Sequence, residues 1–255
     1  MLKAISDWWR PIRRGLNDKA WMKKTNAPDI LFKVYDESRR RESRVSASYR
    51  HQLTAFRGGL VGKRFSNDWF TGNIPIWLDA FNQFKFNPNS PINILEIGSW
   101  EGLSALFLAE RFPKAQMTCV DTWEGADEHK NLDAATTATL SKIEEAFATN
   151  LVDHRNRINA KKMTSDEYFA SEPHQDIFDL IYVDGSHAAE DVKKDAENSL
   201  RALKPGGLLI FDDYQFKYYT EPHRNPAKAI NDFIRINQKS VTPFWLGWQL
   251  LVRKN

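Results

Sequence analysis

The chain has 255 residues, 42% apolar and 27% charged, which is the make-up of a globular protein long enough for one α/β domain and an extension. Its net charge of +3 is uneven: residues 1–64 carry 16 Lys+Arg and 6 Asp+Glu, a net of +10, leaving 20 basic and 27 acidic residues, a net of −7, for the rest. No run of eighteen apolar residues exists, the N-terminus lacks a secretory h-region and cleavage site, and the single Cys119 forbids an intrachain disulfide, so the expectation is a cytoplasmic protein without a membrane span.

Residues 1–65 read as a basic helical extension broken by Pro11, Gly15, Pro28 and Gly58-Gly59. Trp8, Trp9, Ile12, Leu16 and Trp21 fall near helical spacing between basic residues. Such an arm can meet nucleic acid or an anionic membrane, but a helix docked on its own domain is the preferred reading. The polar stretch from Ser38 to Ser48 reads as a mobile loop or an exposed helix. A helix is expected from about residue 72 through Ile76–Phe84, and Asn87-Pro-Asn-Ser-Pro then punctuates the chain.

From there strands alternate with helices. Strands are predicted at Ile92–Ile97, Gln116–Val120, Arg157–Lys161, Phe178–Val183 and Leu208–Phe211. Helices are predicted at Leu103–Arg111, about Leu132–Asn150, Asp166–Ala170 and Ala188–Leu203. This order implies right-handed crossovers and a mainly parallel sheet. Val241–Val252, rich in β-branched and aromatic residues around Gly247, suits a closing antiparallel hairpin. Gly206 or Gly207 is expected to supply the left-handed turn that ends the last of these helices.

Three constellations carry chemistry. The first is Ile94-Leu-Glu96-Ile-Gly98-Ser99-Trp100-Glu-Gly102-Leu-Ser, a strand, a glycine turn and a helix start that offers free N–H groups to a ligand. Its spacing is not the Gly-x-Gly-x-x-Gly of dinucleotide folds. The second is Val120-Asp121-Thr122, an acid at a strand end where it can hold ribose hydroxyls. The third joins Tyr182-Val-Asp184-Gly-Ser-His187 to Phe211-Asp212-Asp213-Tyr214. Neighbouring strands lie about 4.8 Å apart, so adjacent strand ends would bring three carboxylates together. Such a cluster repels itself unless a proton or a hard cation such as Mg²⁺ sits among the oxygens. His187, whose unperturbed pKa lies near neutrality, is the candidate general base.

On these residues the chain resembles the class I S-adenosylmethionine-dependent methyltransferases, most of all the macrocin-type sugar O-methyltransferases and more distantly the catechol-type enzymes. The resemblance spans roughly residues 66–253, since Asp68-Trp-Phe-Thr-Gly-Asn-Ile-Pro is also similar to relatives. It implies an α/β Rossmann-like domain over 66–255, mostly parallel with a closing antiparallel hairpin, behind a helical extension over 1–65. It implies S-adenosyl-L-methionine as cofactor, with Glu96, Gly98, Ser99 and Gly102 toward its methionine end. Asp121 and Thr122 would then meet the ribose, and Met163 to Ser165 would border the adenine. Asp184, beside the cofactor, would join Asp212 and Asp213 in holding Mg²⁺ or another divalent cation, with His187 as base. Trp100 departs from the pattern, because many relatives carry glycine there, and Lys161-Lys-Met-Thr-Ser lacks a glycine often found after the third strand. The expected partner is a small-molecule hydroxyl acceptor, sugar-containing or phenolic. Relatives often form homo-oligomers, although the sequence carries no interface signature.

The rival readings are a metal-independent methyltransferase acting on nitrogen or a carboxylate, a nicotinamide oxidoreductase, and a non-catalytic protein that binds RNA or membrane through the arm. Gln215–Pro226, with Tyr218, Tyr219, His223 and Arg224, follows the acids and is expected to help select the acceptor.

Overall fold

Five short runs form the parallel part of one seven-stranded sheet, and those at its centre, Asn93–Ile97, Phe178–Val183 and Leu208–Phe211, are rich in Ile, Leu, Val and Phe. The computed structural model describes residues 15–125, 140, 142–171 and 173–255. The strands are β1 (Asn93–Ile97), β2 (Gln116–Asp121), β3 (Ile158–Lys162), β4 (Phe178–Val183), β5 (Leu203–Phe211), β6 (Val241–Leu246) and β7 (Leu250–Lys254). Their order is β3-β2-β1-β4-β5-β7-β6. The first five are mutually parallel, and β7 runs antiparallel to both β5 and β6. The expected α/β architecture with a closing hairpin is therefore present.

The central strands are apolar on both faces because helices cover both. Alternation sends Ile94, Leu180 and Tyr182 into one core and Leu95, Ile97, Ile181 and Val183 into the other. Full burial of each such aliphatic side chain contributes about 1.5–3 kcal/mol. The order reverses between β1 and β4, whose chains then depart to opposite sides, and a crevice opens at their carboxyl ends.

The basic arm is helical where described: α1 over residues 15–24, α2 (Asp29–Ser48) and α3 (Arg50–Gly59). The expected breaks at Pro28 and Gly58-Gly59 are present, Pro28 standing just before α2 and the glycines closing α3, whereas Gly15 is helical and the polar stretch after Ser38 continues α2. Trp8, Trp9 and Ile12 lie outside the described residues. Trp21 is buried and its Nε1–H donates to Tyr214 O at 3.3 Å, while Ser38 Oγ accepts from Leu246 N at 2.9 Å. Residues on both sides of position 65 share each core. The arm's positive charge is partly met by the acidic body, through Arg41–Asp79 at 2.6 Å, Arg64–Glu145 at 3.1 Å and Lys63–Asp153 at 3.5 Å.

Four further helices follow β1–β4 in the crossovers or precede them: α4 (Ile74–Gln83), α5 (Leu103–Arg111), α6 (Ile143–Asn150) and α7 (Ser165–Ser171). The helix expected from about Leu132 is described over α6, and its predicted beginning lies largely outside the described residues. A capping box starts α7: Thr164 N–H donates to Glu167 Oε2 at 2.8 Å, and Glu167 N–H donates back to Thr164 Oγ1 at 3.2 Å.

Two expectations are corrected near the acids. After α8 (Ala189–Ala202) the chain turns at once into β5, which begins at Leu203 and not at Leu208. Gly206, at φ +76°, makes a bulge within that strand and does not cap the helix; the pairing with β4 shifts register between Phe178 and Leu180. The sequence reading also passed over α9 (Pro226–Ile236), opened by proline at its first position, which buries Ile230, Phe233 and Ile234.

Candidate active site

The carboxyl edge of the parallel strands collects the residues singled out in the sequence. Gly98 and Gly102 shape the loop after β1, both at φ +82°. A Cβ on Gly98 would stand 1.9 Å from the Asp184 carbonyl oxygen, so this glycine lets the β1 loop cross the end of β4. A Cβ on Gly102 would press on Leu151 and Phe147 of the segment around α6. Both glycines thus serve protein-to-protein approach. Trp100 sits between them at φ +46°, a left-handed conformation that explains why glycine suits this position.

Asp121 ends β2 and fastens this loop. Its Oδ2 accepts from Ser99 N at 2.7 Å and Trp100 N at 2.8 Å, and its Oδ1 accepts from Trp123 N at 2.7 Å. Trp123 Nε1–H donates to Trp100 O at 3.0 Å. Thr122 Oγ1 accepts from Glu124 N at 3.3 Å. Met163 N–H donates to Asp121 O, tying the stretch after β3 to the same edge, and Ser165 opens α7 beside it.

Glu96 lies beneath the loop and is fully buried. Burial pushes its carboxyl up to about 7, against hydrogen bonding from Ser104, Ser99 and Cys119, with the nearby Asp121 charge adding to the rise. Ser104 Oγ–H donates to Oε1 at 2.6 Å. Oε2 and Ser99 Oγ are buried without a well-formed hydrogen bond. A buried acid with an unsatisfied oxygen under a strand-end loop suits a cationic or amine-bearing ligand group.

Asp184, His187 and Asp213 offer ligand atoms that all lie within 4.8 Å of one another. His187 Nε2 is 2.6 Å from Asp213 Oδ2, and the imidazole packs on Phe216 with centroids 4.5 Å apart. Asp213 takes φ +56° to point its carboxylate here. Burial, then the charges of Asp212 and Asp213, hold the Asp184 carboxyl well above the usual range. A cavity of about 10 Å³ among Val183, Asp184, His187, Phe211, Asp213 and Pro226 is of the size of one water or ion. The mutual repulsion, the hard oxygens and this small space fit a divalent cation.

Asp212 is turned differently. Its Oδ2 accepts from Gln249 Nε2 at 2.7 Å and from the Tyr182 hydroxyl, while its Oδ1 accepts from Asp213 N at 2.7 Å. Tyr182 Oη is also 2.7 Å from Asp184 Oδ2, so one buried phenol stands between two half-buried acids. Burial and the Asp213 charge raise Asp212 to about 6. Sequence reasoning overlooked Tyr182, although strand alternation places it on the face of Asp184 two residues on. Gln249 and Trp248, whose Nε1–H donates to Asp213 Oδ1 at 3.0 Å, gave no local signal because they come from the distant β6–β7 turn.

Residues 95–214, from within β1 to Tyr214, match the protein family described as "Methyltransferase domain". Among solved structures, the MycE methyltransferase from the mycinamycin biosynthetic pathway, in complex with Mg, SAH and mycinamycin VI, aligns with a TM-score of 0.53. It is 18% identical, and the alignment covers 80% of this chain and 54% of that one. The O-methyltransferase from Bacillus cereus in complex with SAH aligns with a TM-score of 0.51 at 13% identity, over 88% of this chain and 100% of that one. At these identities the likeness is one of fold. The uncharacterized protein y4gI of Sinorhizobium fredii (strain NBRC 101917 / NGR234) is 26% identical over 151 residues, which is 55% of this chain. This chain spans 15% of that relative's length.

Proposed function

We propose that the protein is an S-adenosylmethionine-dependent O-methyltransferase that uses Mg²⁺ or another divalent cation to methylate a hydroxyl of a sugar-containing or phenolic small molecule. The observation that carries this reading is the meeting of Asp184, His187 and Asp213 at the carboxyl ends of β4 and β5, beside the Gly98 loop. The MycE structure, which holds Mg and SAH on a similar fold, supports it.

When bound, the cofactor supplies an activated methyl on sulfur and the cation lowers the pKa of an oxygen it contacts. Asp184 and Asp213 would hold the cation, and Asp212 would stand behind them. The loop Gly98–Gly102, with Asp121, Thr122 and the stretch Met163–Ser165, would line the cofactor, with Glu96 Oε2 toward its amine. His187 Nε2 faces Asp213 Oδ2 at 2.6 Å; with a proton held there, the ring would present Nδ1 as the base. That nitrogen takes the hydroxyl proton as the oxygen becomes a nucleophile. The remaining contribution is alignment of oxygen, methyl and sulfur in one line.

Calorimetric titration of S-adenosylhomocysteine into the protein, with and without Mg²⁺, tests this. The expected result is cofactor binding in both cases and a Mg²⁺ heat that vanishes in Asp184→Ala. Cofactor binding without any metal response would leave a metal-independent methyltransferase, and no cofactor binding would overturn the proposal.

A further inference from the structure

Resting on that reading, we infer that Trp248, in the β6–β7 turn, has two roles: its indole edge positions Asp213, and its exposed face is the platform on which the acceptor ring lies.

The edge is committed. Trp248 Nε1–H donates to Asp213 Oδ1 at 3.0 Å, and the other oxygen of Asp213 faces His187 at 2.6 Å. The turn itself is held, since Trp248 O accepts from Tyr214 N at 2.9 Å and Gln249 bridges Asp212 to the indole N–H of buried Trp77. A rigid backbone and a directed hydrogen bond fix the ring beside the candidate metal ligands.

The face is open. Trp248 is 44% exposed, and no other aromatic ring packs on it among the described residues. For an indole anchored at its edge, that exposure leaves apolar surface in water with no structural return. Tyr218 and Trp69 are likewise exposed. Tyr218 stacks at 6.4 Å on Phe216, which covers His187. Trp69 lies 5.7 Å from Trp100 of the cofactor loop, and Phe70 beside it packs at 4.9 Å on Trp77, the residue that also holds Gln249. Exposed aromatic rings therefore connect to His187 through Phe216 and to the Gly98 loop through Trp100.

A platform of one ring favours a particular ligand shape. A phenolic ring laid on it would keep its second apolar face in water. A pyranose ring sets a C–H face on the indole, turns edge hydroxyls to Asp184, His187 and Asp213, and leaves its other hydroxyls solvated. The geometry thus points to a glycoside ring over a catechol.

The test uses saturation-transfer NMR on the protein with S-adenosylhomocysteine and Mg²⁺, with methyl α-D-glucopyranoside and catechol as probes. A parallel Mn²⁺ titration is followed by electron paramagnetic resonance. Wild-type protein should saturate the ring C–H protons of the glycoside, and Trp248→Ala should lower that signal about fivefold. Trp248→Phe keeps a ring but loses the donor. It should retain most of the glycoside signal while weakening Mn²⁺ binding about tenfold, the scale of a lost hydrogen bond to a charged group. Equal glycoside saturation in Trp248→Ala, or saturation of catechol alone, overturns the platform; unchanged Mn²⁺ affinity in Trp248→Phe overturns the positioning role. Loss of cofactor binding by the wild type would instead defeat the underlying methyltransferase reading, which separates the two failures.

Discussion

Replacing Glu96 with glutamine keeps the side chain's shape and removes its ability to ionise. In the folded protein this carboxyl titrates near 7, chiefly because it is fully buried, against an ordinary value of 4.5. A raised acid contributes its full stabilisation while protonated, below about 4.5, and loses it as pH rises through about 7. At about 1.4 kcal/mol per pH unit, the whole interval corresponds to about 3 kcal/mol, of which about 2.5 kcal/mol falls between pH 5 and 8. Glutamine has no such dependence. Urea unfolding followed by far-ultraviolet circular dichroism at pH 5 and pH 8 should therefore show Glu96→Gln gaining about 2–3 kcal/mol on the wild type over that span. Any packing defect introduced by the amide enters equally at both pH values and cancels. A stability difference that stays constant from pH 5 to 8 would refute the claim that Glu96 is buried as a titrating group. The same variant should bind S-adenosylhomocysteine more weakly at pH 8, where wild-type Glu96 is ionised and glutamine is not.

Three further substitutions probe other parts of the site. Gly98→Ala should destabilise by about 3 kcal/mol or more, because its Cβ would meet the Asp184 backbone at 1.9 Å and φ is +82°; calorimetry should show Tm falling by about 5 °C or more, and an unchanged Tm would contradict the close crossing. Tyr182→Phe removes the one hydroxyl shared by Asp184 and Asp212, which should lower unfolding stability at pH 7 by about 1–3 kcal/mol; an unmoved urea midpoint would show that the acids do not depend on it. Asp213→Asn should cut Mn²⁺ affinity at least about tenfold, read by electron paramagnetic resonance, while leaving the heat of S-adenosylhomocysteine binding intact; unaltered Mn²⁺ binding would remove Asp213 from the metal ligands.

The sheet is legible because β1, β4 and the end of β5 are short apolar runs closed by glycine or acid and separated by helical patterns. Phe178–Val183 was read to the residue for this reason. What failed was punctuation. Pro205-Gly206-Gly207 reads locally as the stop of a helix, yet pairing of Leu203 with Phe178 recruits the segment into β5 and pushes Gly206 into a bulge. Only tertiary pairing decides between those two uses of the same glycines. The amphipathic α9 is hidden for a different reason: Pro226 reads locally as the end of the preceding loop, yet it is the first residue of a helix that buries Ile230, Phe233 and Ile234. The arm's charge was read correctly as surplus but not as pairing, since Asp79, Glu145 and Asp153 lie far along the chain from Arg41, Arg64 and Lys63.

The candidate site divides along the same line between local and distant information. Asp184, His187 and Asp213 are visible because two short motifs each end a strand, while the adjacency of β4 with β5 is what the structure adds. Their orientation was not visible. Asp212 and Asp213 are consecutive acids that look equivalent in sequence, yet one is turned to Tyr182 and Gln249 and the other to His187 and Trp248. That division comes from the β6–β7 turn, where consecutive residues Trp248 and Gln249 each take one acid. It also needs the left-handed backbone of Asp213, which swings the second carboxylate away from the first. Because β7 is antiparallel to β5, the β6–β7 turn that precedes it lies at the carboxyl end of β5, where a further parallel strand would have placed its own carboxyl end instead. The closing hairpin therefore does more than cover an edge of the sheet: it delivers to the acids the two side chains that distinguish them.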